Sequence, residues 1–208
     1  MSPTLPRLPE IRDWKRAAAA AEELWRGGGI VAIPTESTYG LAVDPLDAEA
    51  VEAVMRCKGR SAARPLPVVA GSIDDLRALG ARLDLAALAP VLAAWPAALT
   101  AVVPLDRPVA AALGGDTLAV RIPDHDGLRD FLLRMGRAVT ATSANRSGEE
   151  PVVTAAEARE LLVGERALVI DDGARLPGGP PSTLVGIRDG GLVVLREGRY
   201  PVQRLLGF

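Results

Sequence analysis

Apolar residues fall along this chain in short blocks, separated by polar stretches rich in glycine and proline. The block "IVAI" at 30–33 follows a glycine cluster and is apolar at every position, the pattern of a strand buried on both faces. Comparable blocks predict strands at 65–70, 99–103, 117–122, 138–142, 167–170, 183–187 and 192–196. "IRDGGLVVL" sets a D-G-G turn between the last two, so that pair is antiparallel and the sheet is mixed. The stretch "RDWKRAAAAAEELWRGGG" combines strong helix formers with a glycine stop, and Leu24 and Trp25 help to bury one of its faces. Asp47 caps a second helix, with Val51, Val54 and Met55 along one side. Further helices are predicted at 84–94, 125–135 and 154–162. Thr154 and Glu157 form an S/T-x-x-E start signal, and Ser72 and Asp75 have the same spacing.

Residues 1–9, with Pro3, Pro6 and Pro9, read as an irregular lead-in. No repeat, linker or low-complexity tract interrupts the rest, so 10–208 read as one α/β domain, a twisted mixed sheet flanked by helices. The length of 208 residues suffices for one sizeable core. With 49 % hydrophobic and 24 % charged residues, the chain folds rather than staying disordered. Aromatics make up only 3 %, so alanine, leucine and valine must build the core, and a base-stacking platform for single-stranded nucleic acid is disfavoured. Twenty-four basic and 26 acidic residues give a net charge of -2. There is therefore no global positive field, and any anion site must be local. The single cysteine, Cys57, excludes an intrachain disulfide and fits a reducing compartment. The N-terminus lacks the apolar core of a signal peptide, and no run reaches the roughly 18 apolar residues of a membrane span. The expected location is the cytoplasm, away from membranes.

Several chemistries find no motif. There is no G-x-x-x-x-G-K-[ST] and no G-x-S-x-G, and His125 is the only histidine, which removes H-E-x-x-H and clustered zinc ligands. No metal site is expected from side chains. Phosphate handling would have to use scattered cations, hydroxyls and backbone amides. Four polar clusters stand beside apolar runs: "PTESTYG", "KGRSAARPL", "TSANRSG" and "PPSTLV". In open α/β sheets ligands collect outside strand ends, so these clusters could line one crevice. Lys58, Arg60 and Arg64 have a spacing that either turns cations toward a polyanion or makes a solvated basic helix end. Thr142, Ser143, Asn145 and Ser147 lie in a turn with Gly148, suited either to an anion or to bonding its own backbone. Thr117 and Arg121 share one face of a strand by period two. Arg121, between Val120 and Ile122, needs an anionic partner, which is either a substrate or a structural carboxylate.

In this order, "PTESTYGL", "KGRSAARPL", "VRIP", "SANRSG", "ST" and "LREG" resemble the threonylcarbamoyl-AMP synthase family, the YrdC-like (TsaC) domain in its short bacterial form, over residues 28 to about 201. Ser37 stands for the second threonine of the family's PTET, Arg64 where many members have asparagine, and Val69 where longer relatives often have histidine. The resemblance implies an α/β fold with a concave groove for ATP and L-threonine, and an L-threonylcarbamoyladenylate synthase activity. Threonine and bicarbonate would give a carbamate that attacks the α-phosphate of ATP and releases pyrophosphate. Magnesium would accompany the triphosphate. A separate threonylcarbamoyl transferase complex of the TsaD type would then modify tRNA, with weak tRNA contact by this protein as a further expectation. Carried over position by position, Ser37, Arg121, Ala141 and Ser182 would contact threonine. Lys58, Arg60, Arg64, Thr117, Ser143, Asn145 and Arg196 would hold ATP, with Lys58 and Arg60 as the catalytic cations. Two alternatives stay open: a non-catalytic RNA-binding module, and a relative that adenylates a different carbamate.

Overall fold

A computed structural model describes residues 10–59 and 65–206. Its elements in chain order are β1 (Glu10–Ile11), α1 (Trp14–Trp25), β2 (Ile30–Pro34), β3 (Tyr39–Ala42), α2 (Ala48–Cys57), β4 (Val68–Val69), α3 (Ile73–Ala78), α4 (Ala89–Ala94), β5 (Leu99–Pro104), β6 (Thr117–Arg121), α5 (Asp126–Met135), β7 (Val139–Thr140), β8 (Thr142–Ser143), α6 (Ala155–Leu161), β9 (Ala167–Ile170), β10 (Thr183–Arg188), β11 (Gly191–Arg196) and α7 (Gln203–Leu206). Mixed pairing is present as expected, but it is divided between two sheets. Five strands run in the order β1-β9-β2-β3-β8, and six in the order β11-β10-β5-β6-β4-β7.

The two sheets meet where one apolar run crosses between them. Residues 138–142 read as a single strand, yet the structure breaks that run at Ala141. β7 pairs with β4 in the six-stranded sheet and β8 with β3 in the five-stranded one. Ala141 N donates to Pro67 O at 2.9 Å in the register of the β4–β7 ladder, and Pro67 has no N–H to return the bond. Thr140 secures the crossing: its buried Oγ1 accepts from Val43 N at 3.0 Å, and its own N–H donates to Val43 O.

β2 shows why an unbroken apolar block was needed. Ile30 and Ala32 enter the larger core beneath the six-stranded sheet, while Val31 and Ile33 enter a smaller one with Ala17, Trp25 and Phe131 of α1 and α5. Successive side chains on a strand point to opposite faces, so a strand between two cores must be apolar throughout. α1 is tied down by Arg137, whose guanidinium bonds Glu22 at 2.7 Å and Asp44 at 3.0 Å and lies over the Trp25 ring.

Local signals reappear where the sequence put them. Asp47 caps α2, and both capping boxes form, Ser72 with Asp75 and Thr154 with Glu157. The β10–β11 hairpin turns through Asp189 and Gly190, both at positive φ. Other expectations are trimmed. The strand at 65–70 shrinks to Val68 and Val69, since Pro65 and Pro67 have no N–H to offer a ladder. The helix at 84–94 becomes a 3-10 turn at Ala86–Leu88 followed by α4, with Pro90 in the first turn of α4, where a missing N–H costs nothing. β1 and β3 were not anticipated.

Candidate active site

The turn between β2 and β3 carries "TEST". Thr35 closes it, donating to Thr38 O from both N (3.1 Å) and Oγ1 (2.7 Å). Thr35, Ser37 and Thr38 line a cavity of about 280 Å³, whose other walls include Ala119 and Arg121 of β6, Ala141, Ser143 of β8, Ser182 and Arg196. The hydroxyls after the buried strand thus serve two ends, closing a tight turn and lining a polar hollow. The carboxylate among them, Glu36, fastens the turn to the end of β6. Its Oε1 accepts from Asp124 N at 2.7 Å, and its Oε2 lies 3.1 Å from Arg121 Nη1. Both side chains are nearly enclosed, Arg121 at 12 % exposure and Glu36 at 9 %. Arg121 therefore has the structural carboxylate that its apolar strand required, and it also lines the cavity.

Among the residues matched to threonine contacts, Ser37, Arg121, Ala141 and Ser182 all line this cavity. Ser182 Oγ is 2.7 Å from Thr100 Oγ1, and its carbonyl accepts from Arg196 Nη2 at 2.8 Å. Desolvation by the surrounding wall lowers the pKa of Arg196, and its guanidinium stays charged. Ser143 and Arg196 also line the cavity, whereas Thr117, Lys58 and Asn145 do not. Thr117 is exposed at the start of β6. Arg60 and Arg64 lie outside the described residues.

Lys58 is buried at 3 % exposure directly after α2. Its ammonium donates to Ser143 O at 2.5 Å, Asn145 O at 3.1 Å and Asn145 Oδ1 at 2.9 Å. Ser143 Oγ also bonds Asn145 Oδ1, and Asn145 Nδ2 donates to Arg146 O and Glu149 O. Lys58 and Asn145 thus shape the "SANRSG" turn from within, which holds Ser143 at the cavity edge. A positive charge sits behind this turn although the chain's net charge is -2, so the positive character is local.

Two residues that the sequence left without a role take structural ones beside the site. His125 caps α5, its Nδ1 accepting from Leu128 N at 3.1 Å, and its Nε2 faces Asp172 at 3.3 Å. Arg199 donates to Glu36 O at 3.0 Å and to Gly178 O at 3.1 Å. No spacing signal could have found the Arg199 contact, because its partner Glu36 is 163 positions away. Val69 is buried in the smaller core and does not line the cavity. A second, wider hollow of about 780 Å³ lies beyond Thr35 and Glu36, between the Ala93–Ala98 region, His125 and Arg199. Among the described residues no group of three or more His, Cys, Asp or Glu could hold a metal ion, and no helix is long and apolar enough to cross a membrane.

The Sua5/YciO/YrdC family model, described as telomere recombination, matches residues 23–198. The threonylcarbamoyl-AMP synthase of Thiobacillus denitrificans is 37 % identical over 169 residues, covering 79 % of this chain and 88 % of that protein. The protein of the same name from Chromobacterium violaceum is 35 % identical over 190 residues, covering 89 % and 94 %. In three dimensions the chain is similar to Pyrococcus abyssi Sua5 solved with L-threonine, with a TM-score of 0.83 and 31 % identity, over 96 % of this chain and 61 % of that longer one. Escherichia coli YciO shares the fold, with a TM-score of 0.81 at 22 % identity. A family match over most of its length, joined to relatives above 30 % identity that it largely covers, means that the chain belongs to the Sua5/YciO/YrdC family.

Proposed function

We propose that this enzyme is an L-threonylcarbamoyladenylate synthase, a nucleotidyltransferase that forms threonylcarbamoyl-AMP and pyrophosphate from L-threonine, bicarbonate and ATP. The observation that carries the reading is the cavity itself. Ser37, Arg121, Ala141 and Ser182, drawn from four separate segments, share one polar hollow with a guanidinium on its wall. At about 280 Å³ the hollow falls just below the roughly 300–1,000 Å³ of pockets for drug-sized ligands, which suits a small amino acid better than a whole nucleotide. Relatives named threonylcarbamoyl-AMP synthase support the same chemistry.

In this reading Arg121 pairs with the threonine carboxylate through the guanidinium edge not facing Glu36. Ser37 and Ser182 meet the rest of the amino acid. The threonine amine and bicarbonate condense to a carbamate with loss of water. A carbamate oxygen then forms a bond to the α-phosphorus of ATP as the bond to the bridging oxygen breaks, and pyrophosphate leaves with that electron pair. The contribution of the protein is positioning and charge stabilisation. Arg196 and Ser143 at the cavity edge, with Lys58 and Asn145 behind the turn, support the phosphate side, and Thr117, Arg60 and Arg64 join them by motif. A magnesium ion would be held by the phosphate oxygens, since no carboxylate cluster offers it a site among the described residues. The product would pass in the cytoplasm to a TsaD-type transferase complex acting on tRNA.

The test is to incubate the protein with ATP, bicarbonate and threonine, following pyrophosphate and detecting threonylcarbamoyl-AMP by mass spectrometry. Pyrophosphate release should need bicarbonate and amino acid together. Release at the same rate from ATP alone would make the protein an ATPase and overturn the reading. An adduct formed only with another amino acid in a panel would reassign the substrate.

A further inference from the structure

Ser37 and Ser182 come from opposite ends of the chain, and each stands on a loop, so something must hold those loops at a fixed separation. The first loop is the β2–β3 turn, and the second is the "GGPPS" stretch before β10. A backbone bond joins them, Gly178 N donating to Ser37 O at 2.8 Å. Arg199 supplies the remainder. Its Nη1 donates to Glu36 O at 3.0 Å and its Nη2 to Gly178 O at 3.1 Å, so one planar fork grips both loops. Its own backbone N–H donates to Pro181 O at 2.8 Å, beside Ser182.

The path that brings Arg199 there is specific. A Cβ on Gly198 would stand 2.3 Å from Pro181 O and 2.6 Å from Ser182 C, so only glycine lets the chain pass this close under the second loop. Tyr200 O then accepts from Thr183 Oγ1 at 2.6 Å, which seats the segment against β10 on the far side of Arg199. The guanidinium is thus held at both flanks of its own backbone. A planar donor fork loses less freedom per bond than a lysine ammonium would.

We infer that Arg199 is a positioning residue for the amino-acid pocket, setting the distance between the loops that carry Ser37 and Ser182 without touching the substrate itself. The inference rests on the proposed threonine site and adds to it a residue outside the six motifs. It also separates the two substrates. Both carbonyls gripped by the Arg199 guanidinium belong to the loops of the amino-acid side, whereas the 143–145 turn is held by Lys58. Loss of Arg199 should therefore act on threonine and spare ATP.

The experiment compares wild type, Arg199→Ala and Arg199→Lys by calorimetric titration with threonine and separately with ATP, and by amide hydrogen exchange. For Arg199→Ala the threonine affinity should fall about tenfold, the scale of one lost charge-assisted hydrogen bond, with ATP affinity within about twofold. Exchange at Gly178 N–H should quicken while β9 stays protected. Arg199→Lys reaches one carbonyl at a time and should fall between the two, and it carries the same comparison if the alanine variant does not fold. Unchanged threonine affinity, or parallel loss of threonine and ATP binding, overturns the inference. A wild-type protein that binds no threonine would instead overturn the proposed function, and unchanged exchange at Gly178 in the variants would then overturn the clamp as well.

Discussion

Arg121 Nη1 lies 3.1 Å from Glu36 Oε2, so the guanidinium proposed to receive a substrate carboxylate already has a carboxylate within the protein. The contact is an ion pair without hydrogen-bond geometry at Oε2, while Oε1 is held by Asp124 N. A buried cation between Val120 and Ile122 needs a counter-ion in order to fold, and Glu36 provides it from the neighbouring turn. Guanidinium has five N–H donors in a planar fork, which leaves an edge for a second carboxylate. Structural and functional roles therefore coexist in one side chain.

Arg121→Ala should accordingly lose both stability and threonine binding. The stability cost is expected at about 3–5 kcal/mol, because Glu36 is left buried and uncompensated. Pairing it with Glu36→Gln should recover much of that loss in urea unfolding while threonine binding stays abolished. A double variant that regains threonine affinity would remove Arg121 from the carboxylate role.

Lys58→Ala removes the ammonium from Ser143 O, Asn145 O and Asn145 Oδ1 together. Hydrogen bonds to charged groups contribute about 1.5–3 kcal/mol each at most. Their joint loss should destabilise the protein measurably and loosen the 143–149 turn, read as faster amide exchange at Ser147 and Glu149. Threonine binding without nucleotide should persist. A variant with unaltered exchange in this turn would show that Lys58 does not shape it.

Thr140→Val keeps the shape of the side chain but removes the acceptor for Val43 N at the crossing between the sheets. That N–H would be buried without its side-chain partner, at a cost of about 1–3 kcal/mol in urea unfolding. A smaller loss would mean that the crossing does not depend on this hydroxyl.

The Glu157 carboxyl is held below its ordinary value mainly by the Val153 N–H, with Thr154 and Arg175 helping. A depressed carboxyl contributes stability that is fully present above the unfolded pKa of about 4.3 and is lost as pH falls through the lower folded value. Glu157→Gln should therefore be less stable than wild type at neutral pH, and the gap should close on acidification below about pH 4. Urea midpoints taken across that range check the sign. A gap that widens in acid would contradict it.

Short-range features could be read from the residues alone. Asp47, Ser72 with Asp75, and Thr154 with Glu157 act within one turn of helix, and the Asp189–Gly190 hairpin needs only its own backbone conformation. The apolar block of β2 likewise reports burial on both faces without naming its neighbours. Motifs in order also singled out the cavity residues Ser37, Arg121, Ala141 and Ser182. What the tertiary structure decided was how distant segments close on one another. The break at Ala141 exists because β7 and β8 have partners in different sheets, and nothing in the local run of apolar residues marks it. β3 escaped reading because Gly40 and the hydroxyls before it look like a loop until β2 and β8 pair on either side. Glu36 meets the end of β6 across 88 positions, Lys58 meets Ser143 across 85, and Arg199 meets Glu36 across 163. Propensity, capping and periodicity act over a few residues, whereas these contacts depend on the packing of the whole chain, which decides which of many possible acceptors a buried charge will face.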